Sequence, residues 1–149
     1  MALHSSLFNN NKTQQVLAPA IYNSDQLSAE IDMQDFSDLM LIADVGASGD
    51  TWSAGNRICF EVQESDTTGT GYAAAADSSV SNPISADATG TFAKLTANSQ
   101  GSAAYVGAYR GSKRFVKVNV NFTGTHSTGS PIGVLAVLGM SRAQPQNNG

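Results

Sequence analysis

Between residues 114 and 122 apolar and polar positions alternate, with Val116, Val118, Val120 and Phe122 separated by Lys117, Asn119 and Asn121. That is the period of a strand with one dry and one wet face. A polar loop of Thr, Gly, His and Ser follows. Residues 132–140, IGVLAVLGM, are then apolar almost throughout, which suits a strand covered on both faces. The two segments together predict a β-hairpin with a long loop. Further strands are expected at 15–21, 27–33, 39–45, 57–63, 71–75, 91–96 and 103–109. Turn sequences rich in Gly, Asn, Asp, Ser and Pro separate them, as at 46–50, 65–69, 81–83, 87–90 and 99–101. Eight or nine short strands with regular turns predict an all-β fold, an antiparallel β-sandwich of jelly-roll type.

Two segments leave a choice. Leu27, Ile31, Phe36, Leu39 and Met40 have spacings that a helix starting at Ser24 could use, whereas Ile31 and Met33 alternating with Asp32 and Gln34 favour strands. Residues 73–76, four alanines, could form a helical turn. Residues 1–15 are polar, with an Asn9-Asn10-Asn11 run, and read either as a loose arm that orders only against a partner or as a simply disordered tail. The expected organisation is this arm, a single sandwich domain over 16–142 and a flexible tail over 143–149.

Composition adds limits. A chain of 149 residues buries enough surface for a full core without metal or disulfide. The lone Cys59 lies in an alternating strand segment and reads as a small packed residue. No signal peptide is expected, and no apolar run reaches the roughly 18 residues a membrane helix needs. Ala, Ser, Thr and Asn fill 60 of the 149 positions, which suits surfaces that pack against neighbours without desolvating many ions.

The net charge of −4 conceals an uneven distribution. All 12 acidic residues fall between Asp25 and Asp87, whereas Lys94, Arg110, Lys113, Arg114, Lys117 and Arg142 follow with no acid among them. Either acidic and basic strands are neighbours whose charges meet within the chain, or separate patches meet between subunits or against a shell. Six dispersed cations in a chain of pI near 4.8 do not make a nucleic-acid stripe.

The residues offer little chemistry. His4 and His126 have no carboxylate or cysteine at ligand spacing, so no metal site and no cofactor is expected. A Ser-His-Asp triad drawn from Ser127 or Ser130 with His126 needs an acid from another strand, and no nucleophile elbow exists. Asp32 with Asp35 and Glu61 with Glu64 are each three apart, so strand geometry points each pair to opposite faces. Thr68-Gly-Thr-Gly71 lacks the lysine of a phosphate loop, and the acidic residues 44–50 do not follow calcium-loop spacing. Trp52, Tyr72, Tyr105 and Tyr109 could form a sugar-stacking platform, although Tyr105 and Tyr109 share a strand face and favour a core edge or subunit interface.

The C-terminal third carries a resemblance. YRGSKR, then the alternating strand, TGTHSTGSPI, the apolar strand and an LG-x-x-R-A-x-P ending resemble the closing block of a family of small virion structural proteins from tailed bacteriophages. AEIDMQDF at 29–36, the strand ending Val45-Gly46-Ala47 and FEVQESDTTGTGYAA at 60–74 extend the similarity over about 29–145. No catalytic motif defines that family, so the resemblance implies a place in a particle.

The expectation is therefore a non-enzymatic capsid decoration, or cement, protein on the head surface of a virion, made in the host bacterial cytoplasm. By analogy with cement proteins it would form a homotrimer and bind the major capsid protein, with no nucleic-acid or membrane partner. The alternatives are a head-to-tail junction, tail or head-spike-base protein, and a glycan-binding attachment module. Candidate contact residues are Leu3 and Phe8 in the arm, Trp52, Tyr109 and Arg110, and the basic Lys113, Arg114 and Lys117.

Overall fold

The computed structural model describes residues 10–84 and 88–140. Ten strands form: β1 (Lys12–Tyr22), β2 (Gln26–Leu27), β3 (Ile31–Asp32), β4 (Asp38–Val45), β5 (Arg57–Ser65), β6 (Ala73–Ala74), β7 (Thr91–Leu95), β8 (Ala103–Tyr109), β9 (Phe115–Thr123) and β10 (Ser130–Gly139). Short 3-10 turns at Asp77–Ser79 and Asn98–Gln100 are the helical elements among the described residues. One sheet has the order β1-β10-β4-β8. In the other, β2 and β3 lie end to end along β9, followed by β5 and then by β6 and β7. All these pairings are antiparallel. The pairs β1/β10, β2-β3/β9, β4/β8 and β5/β7 nest one inside the next, which is the jelly-roll winding of a sandwich.

The expected hairpin of the last two strands is corrected. Although consecutive, β9 and β10 lie in opposite sheets, β9 between β2-β3 and β5, and β10 between β1 and β4. The alternation showed which faces are dry, but residues 124–129 form a loop too long to dictate pairing, so they cross between layers instead. The segment 27–33 is not one strand but two short ones. Between them Ser28 turns inward, where its Oγ accepts the Val118 N–H at 2.8 Å. Neither candidate helix exists. Strand β1 begins at Lys12, within the expected arm, and bulges around Leu17. Val16 and Leu17 are consequently both buried. Pro19 suits β1's position at the sheet edge.

The inner faces make one core. Ile58, Phe60 and Val62 of β5 and Val116, Val118 and Val120 of β9 pack with Leu39 and Leu41 of β4 and with Ile132, Val134, Ala136 and Leu138 of β10. A register shift between Phe60 and Glu61 leaves Phe92 of β7 unpaired, and its ring turns inward to lie 6.0 Å from the Phe60 ring. It fits there because Gly107 on the opposite sheet has no side chain, for a Cβ at that position would come within 2.5 Å of the Phe92 ring. Cys59 is buried and not disulfide-bonded.

Candidate interaction surface

The crossover loop 124–129 is held by an acid from far away in sequence. Asp50 accepts the backbone N–H groups of Thr128 at 2.9 Å and Gly129 at 2.7 Å. These bonds hold its carboxyl below the usual carboxylate range, with its hydrogen bond to Thr128 the largest cause. His126 is buried beside it, edge-on to the Phe122 ring, with Nδ1 3.9 Å from an Asp50 oxygen. The acid that a triad required thus does arrive from another loop. However, the other nitrogen, Nε2, lies 3.0 Å from the Thr123 carbonyl, which can only accept. Nε2 therefore carries the proton and is committed to the backbone, not available as a base toward serine. The cluster closes a loop, and no group of three or more metal-ligating side chains occurs among the described residues.

Other polar side chains also bind the chain to itself. Glu30, between β2 and β3, accepts Thr68 Oγ1 and the Gly69 N–H at 2.7 Å each and the Tyr72 hydroxyl at 2.5 Å. Lys117 sits 4.4 Å above the Tyr72 ring. Arg114 grips Asp32 with two hydrogen bonds of 2.9 and 2.8 Å, and Lys113 pairs with Asp66. Two basic residues of the C-terminal third, Lys113 and Arg114, thus meet acidic ones within the chain, as the first of the two readings of the charge asymmetry has it. Glu61 and Glu64 point to opposite sides: Glu61 accepts from the Gln63 and Asn121 amides, and Glu64 accepts the Tyr109 hydroxyl at 2.6 Å.

A pH dependence follows. Glu30, Asp32 and Asp50 all have lowered carboxyl pKa values, led by the hydrogen bonds from Thr68, Arg114 and Thr128 respectively. A carboxyl depressed by folding stabilises fully above its unfolded value, here 3.8 to 4.5, and loses that contribution as pH falls through its folded value. Urea midpoints should therefore be level with respect to these groups above pH ~5 and decline below pH ~4. A midpoint unchanged from pH 5 down to pH 2.5 would contradict the assignment.

The expected contact residues are dispersed. Leu3 and Phe8 lie outside the described residues. Trp52 and Tyr109 are not on the surface: they are 4% and 1% exposed within the core. Trp52 sits in a loop between glycines but folds inward, its backbone N–H donating to Asn98 Oδ1 at 2.6 Å. Tyr109 reaches from β8 across to Glu64 on the other sheet. With both inside, the four aromatics form no stacking platform. Lys113, Arg114 and Lys117 are occupied by their own chain, and Arg110 is exposed at the end of β8.

What the sequence reading missed is the outer face of the four-stranded sheet. Strand β10 was expected to be covered on both sides, but on its outer side Gly133 is buried whereas Leu135 is 43% exposed. Leu135 stands opposite Ile42 of β4, which stands opposite Val106 of β8, 54% exposed. In the next row Val137, Met40 and Ala108 align the same way. This gives two apolar rows three strands wide, with Asp38 and Asp44 at either end of β4. The signal was present in DLMLIADV, where Met40 and Ile42 are apolar at positions that a one-sided strand would make polar. Contiguous apolar surface of this kind marks contact sites, unlike scattered single residues.

No family model matches the chain, and no curated protein matches it in sequence. Among solved structures it is similar to the SPBc2 prophage-derived protein YomS, with a TM-score of 0.50 and 13% identity over 87% of this chain and 92% of that one. A fainter likeness, with a TM-score of 0.42 and 10% identity, is to the CBM22-1 and GH10 modules of Clostridium thermocellum xylanase 10B, covering 95% of this chain and 28% of that one. What the chain shares with YomS is the all-β sandwich.

Proposed function

We propose that this protein is a non-enzymatic structural component of a tailed-phage particle, a decoration protein that binds the major capsid protein on the head surface and stabilises the shell. The observation that carries the reading is the apolar outer face of the four-stranded sheet, Met40, Ile42, Val106, Leu135 and Val137, on a scaffold whose polar side chains brace its own loops. The resemblance of its C-terminal third to phage virion proteins and the prophage origin of YomS support the same assignment. A rigid sandwich that presents apolar area contributes about 25 cal/mol per Å² removed from water, repeated at each lattice position. Assembly as a trimer belongs to this proposal. A junction, tail or spike-base protein would use the same face at far lower copy number.

Two measurements test it. Quantitative mass spectrometry of purified particles should give a copy number comparable to the major shell protein, and a few copies per particle would move the protein to a junction or spike. In co-sedimentation with undecorated shells, Val106→Asp should weaken binding by at least roughly 30-fold, the effect of losing one strong interface contact. Val106 is a half-exposed outer-face residue, so the variant should keep its urea midpoint. Unchanged shell binding by that variant would remove the face from the mechanism.

A further inference from the structure

A sheet edge left open recruits another strand, and among the described residues three of the four edges here are blunted. β1 carries Lys12 and Pro19 and breaks register with β10 twice. Beside β9, β2 and β3 are two residues each. Beside β5, β6 is equally short, and β7 breaks register and has its Thr91 carbonyl capped by the Ile84 N–H at 2.7 Å. The fourth edge, β8, has none of these devices along most of its length. Its residues, AAYVGAY, include no charge and no proline, and they pair with β4 from Tyr109 opposite Leu39 to Ala103 opposite Val45 without a break.

The open part of this edge has defined ends. At one, Ser81 donates its N–H to the Ala108 carbonyl at 2.8 Å and Arg110 donates its N–H to the Ser79 carbonyl at 2.7 Å, so residues 79–81 already occupy the place of a neighbouring strand. At the other, Ser102 has a φ of 56° and turns its N–H back to the Gly46 carbonyl, on the β4 side. Residues 103–107 lie between. Backbone groups of alternate residues point to the same edge of a strand, so Ala104 and Val106 direct N–H and C=O outward, as Ala108 does. Among the described residues no backbone group meets these four.

The open stretch is symmetric about Tyr105. A second β8 laid antiparallel along it, on a two-fold axis through Tyr105, sets Ala104 opposite Val106 of the copy and Val106 opposite Ala104 of the copy. Each pair exchanges two hydrogen bonds, so all the outward groups are satisfied at once. The tyrosines meet on the axis at a non-hydrogen-bonded position, where side chains lie closest and aromatic pairs are favourable. Residues 79–81 of each copy take the place that residues 100–102 of the other would fill had that chain stayed in the sheet. No charge on β8 meets its own image, because the strand carries none.

We propose that β8 is a docking edge for a second copy of this chain: two β8 strands pair about Tyr105 and join the two four-stranded sheets into one sheet of eight strands. The contact lies in the plane of the sheet, so the apolar outer face stays open and widens, the row Leu135, Ile42 and Val106 continuing into Ala104 of the copy. Its symmetry is two-fold, so where the protein is a trimer it joins one trimer to the next. The inference goes beyond shell binding and stands on the edge alone.

Sedimentation equilibrium of the full chain without shells tests it, with Ala104→Pro as the comparison. Proline there removes an outward N–H and leaves the β4 pairing, which uses the backbone groups of residues 103, 105, 107 and 109. As concentration rises to about 1 mM, the wild type should form a species of twice the mass that Ala104→Pro keeps, dimer against monomer or hexamer against trimer. Amide exchange at Val106 should slow over the same range in the wild type and not in the variant. If a lowered urea midpoint shows that proline disturbs the strand, Ala104→Lys gives the same comparison, since it keeps every backbone group and sets a charge against Val106 of the copy. Equal masses for wild type and variants throughout, or a doubling that both variants retain, would overturn the proposal. Because no shell is present, failure here leaves the shell-binding reading intact, and a doubling lost in the variants alongside absent shell binding would sink that reading alone.

Discussion

Phe60→Ala should lower the unfolding free energy by about 3 to 5 kcal/mol, the usual cost of removing a buried phenylalanine. Phe60 is fully buried in β5, a central strand paired on one side with β9 and on the other with β7. Its ring meets Phe92, which occupies the space left by Gly107 in the opposite sheet. Against the 5 to 15 kcal/mol typical of a domain, a loss of about 4 is a large share of the total. The contact makes a second, sharper statement. Gly107→Ala alone should cost about 1 to 3 kcal/mol by overpacking against Phe92, but in the Phe60→Ala background the Phe92 ring can retreat into the vacated space. The two losses should therefore sum to more than the double variant shows, a coupling that urea unfolding resolves. Strict additivity would mean that the rings do not share one cavity.

Much of this architecture was legible in the chain. Ala103–Tyr109 forms a strand over the range read from its pattern, and Val116, Val118 and Val120 are buried as their alternation required. Periodicity reports which face of a strand is dry, because that is a local property. It does not report the partner, and so the segments 114–122 and 132–140, adjacent in sequence, read as one hairpin, whereas β9 and β10 belong to opposite sheets. For the same reason Trp52 and Tyr109 were placed outside: glycines around a tryptophan mark a loop but do not say that the loop folds inward. The contact face was legible only in part. An apolar run such as IGVLAVLG fits a strand covered on both sides and equally one whose outer face awaits a partner, and only the fold separates the two. Asp50 was invisible as a brace because its partners are backbone N–H groups nearly eighty residues away, which carry no residue-type signature.

That brace makes Asp50→Ala the other large effect. A hydrogen bond to a charged group contributes about 1.5 to 3 kcal/mol, and a buried donor left without a partner adds a desolvation cost of similar size. Thr128 is exposed, so water can replace its lost acceptor, whereas Gly129 is buried. The expected loss is therefore about 2 to 4 kcal/mol, short of two full bonds with both donors stranded. It should be read from urea unfolding with an unchanged slope. Asp50→Asn keeps one acceptor oxygen without the charge and should lose less. The chain depends on this contact because residues 124–129 carry it from one sheet to the other, with Gly46 and Gly49 also donating to the carbonyls of Pro131 and Gly129 at 2.8 and 3.2 Å. His126 offers a control. At 3.9 Å its Nδ1 is beyond hydrogen-bond range of Asp50, so an Asp50→Ala, His126→Ala double-mutant cycle should show a coupling below about 0.5 kcal/mol. A coupling above roughly 1.5 kcal/mol would instead make the imidazole, and not the loop amides, the main partner of Asp50.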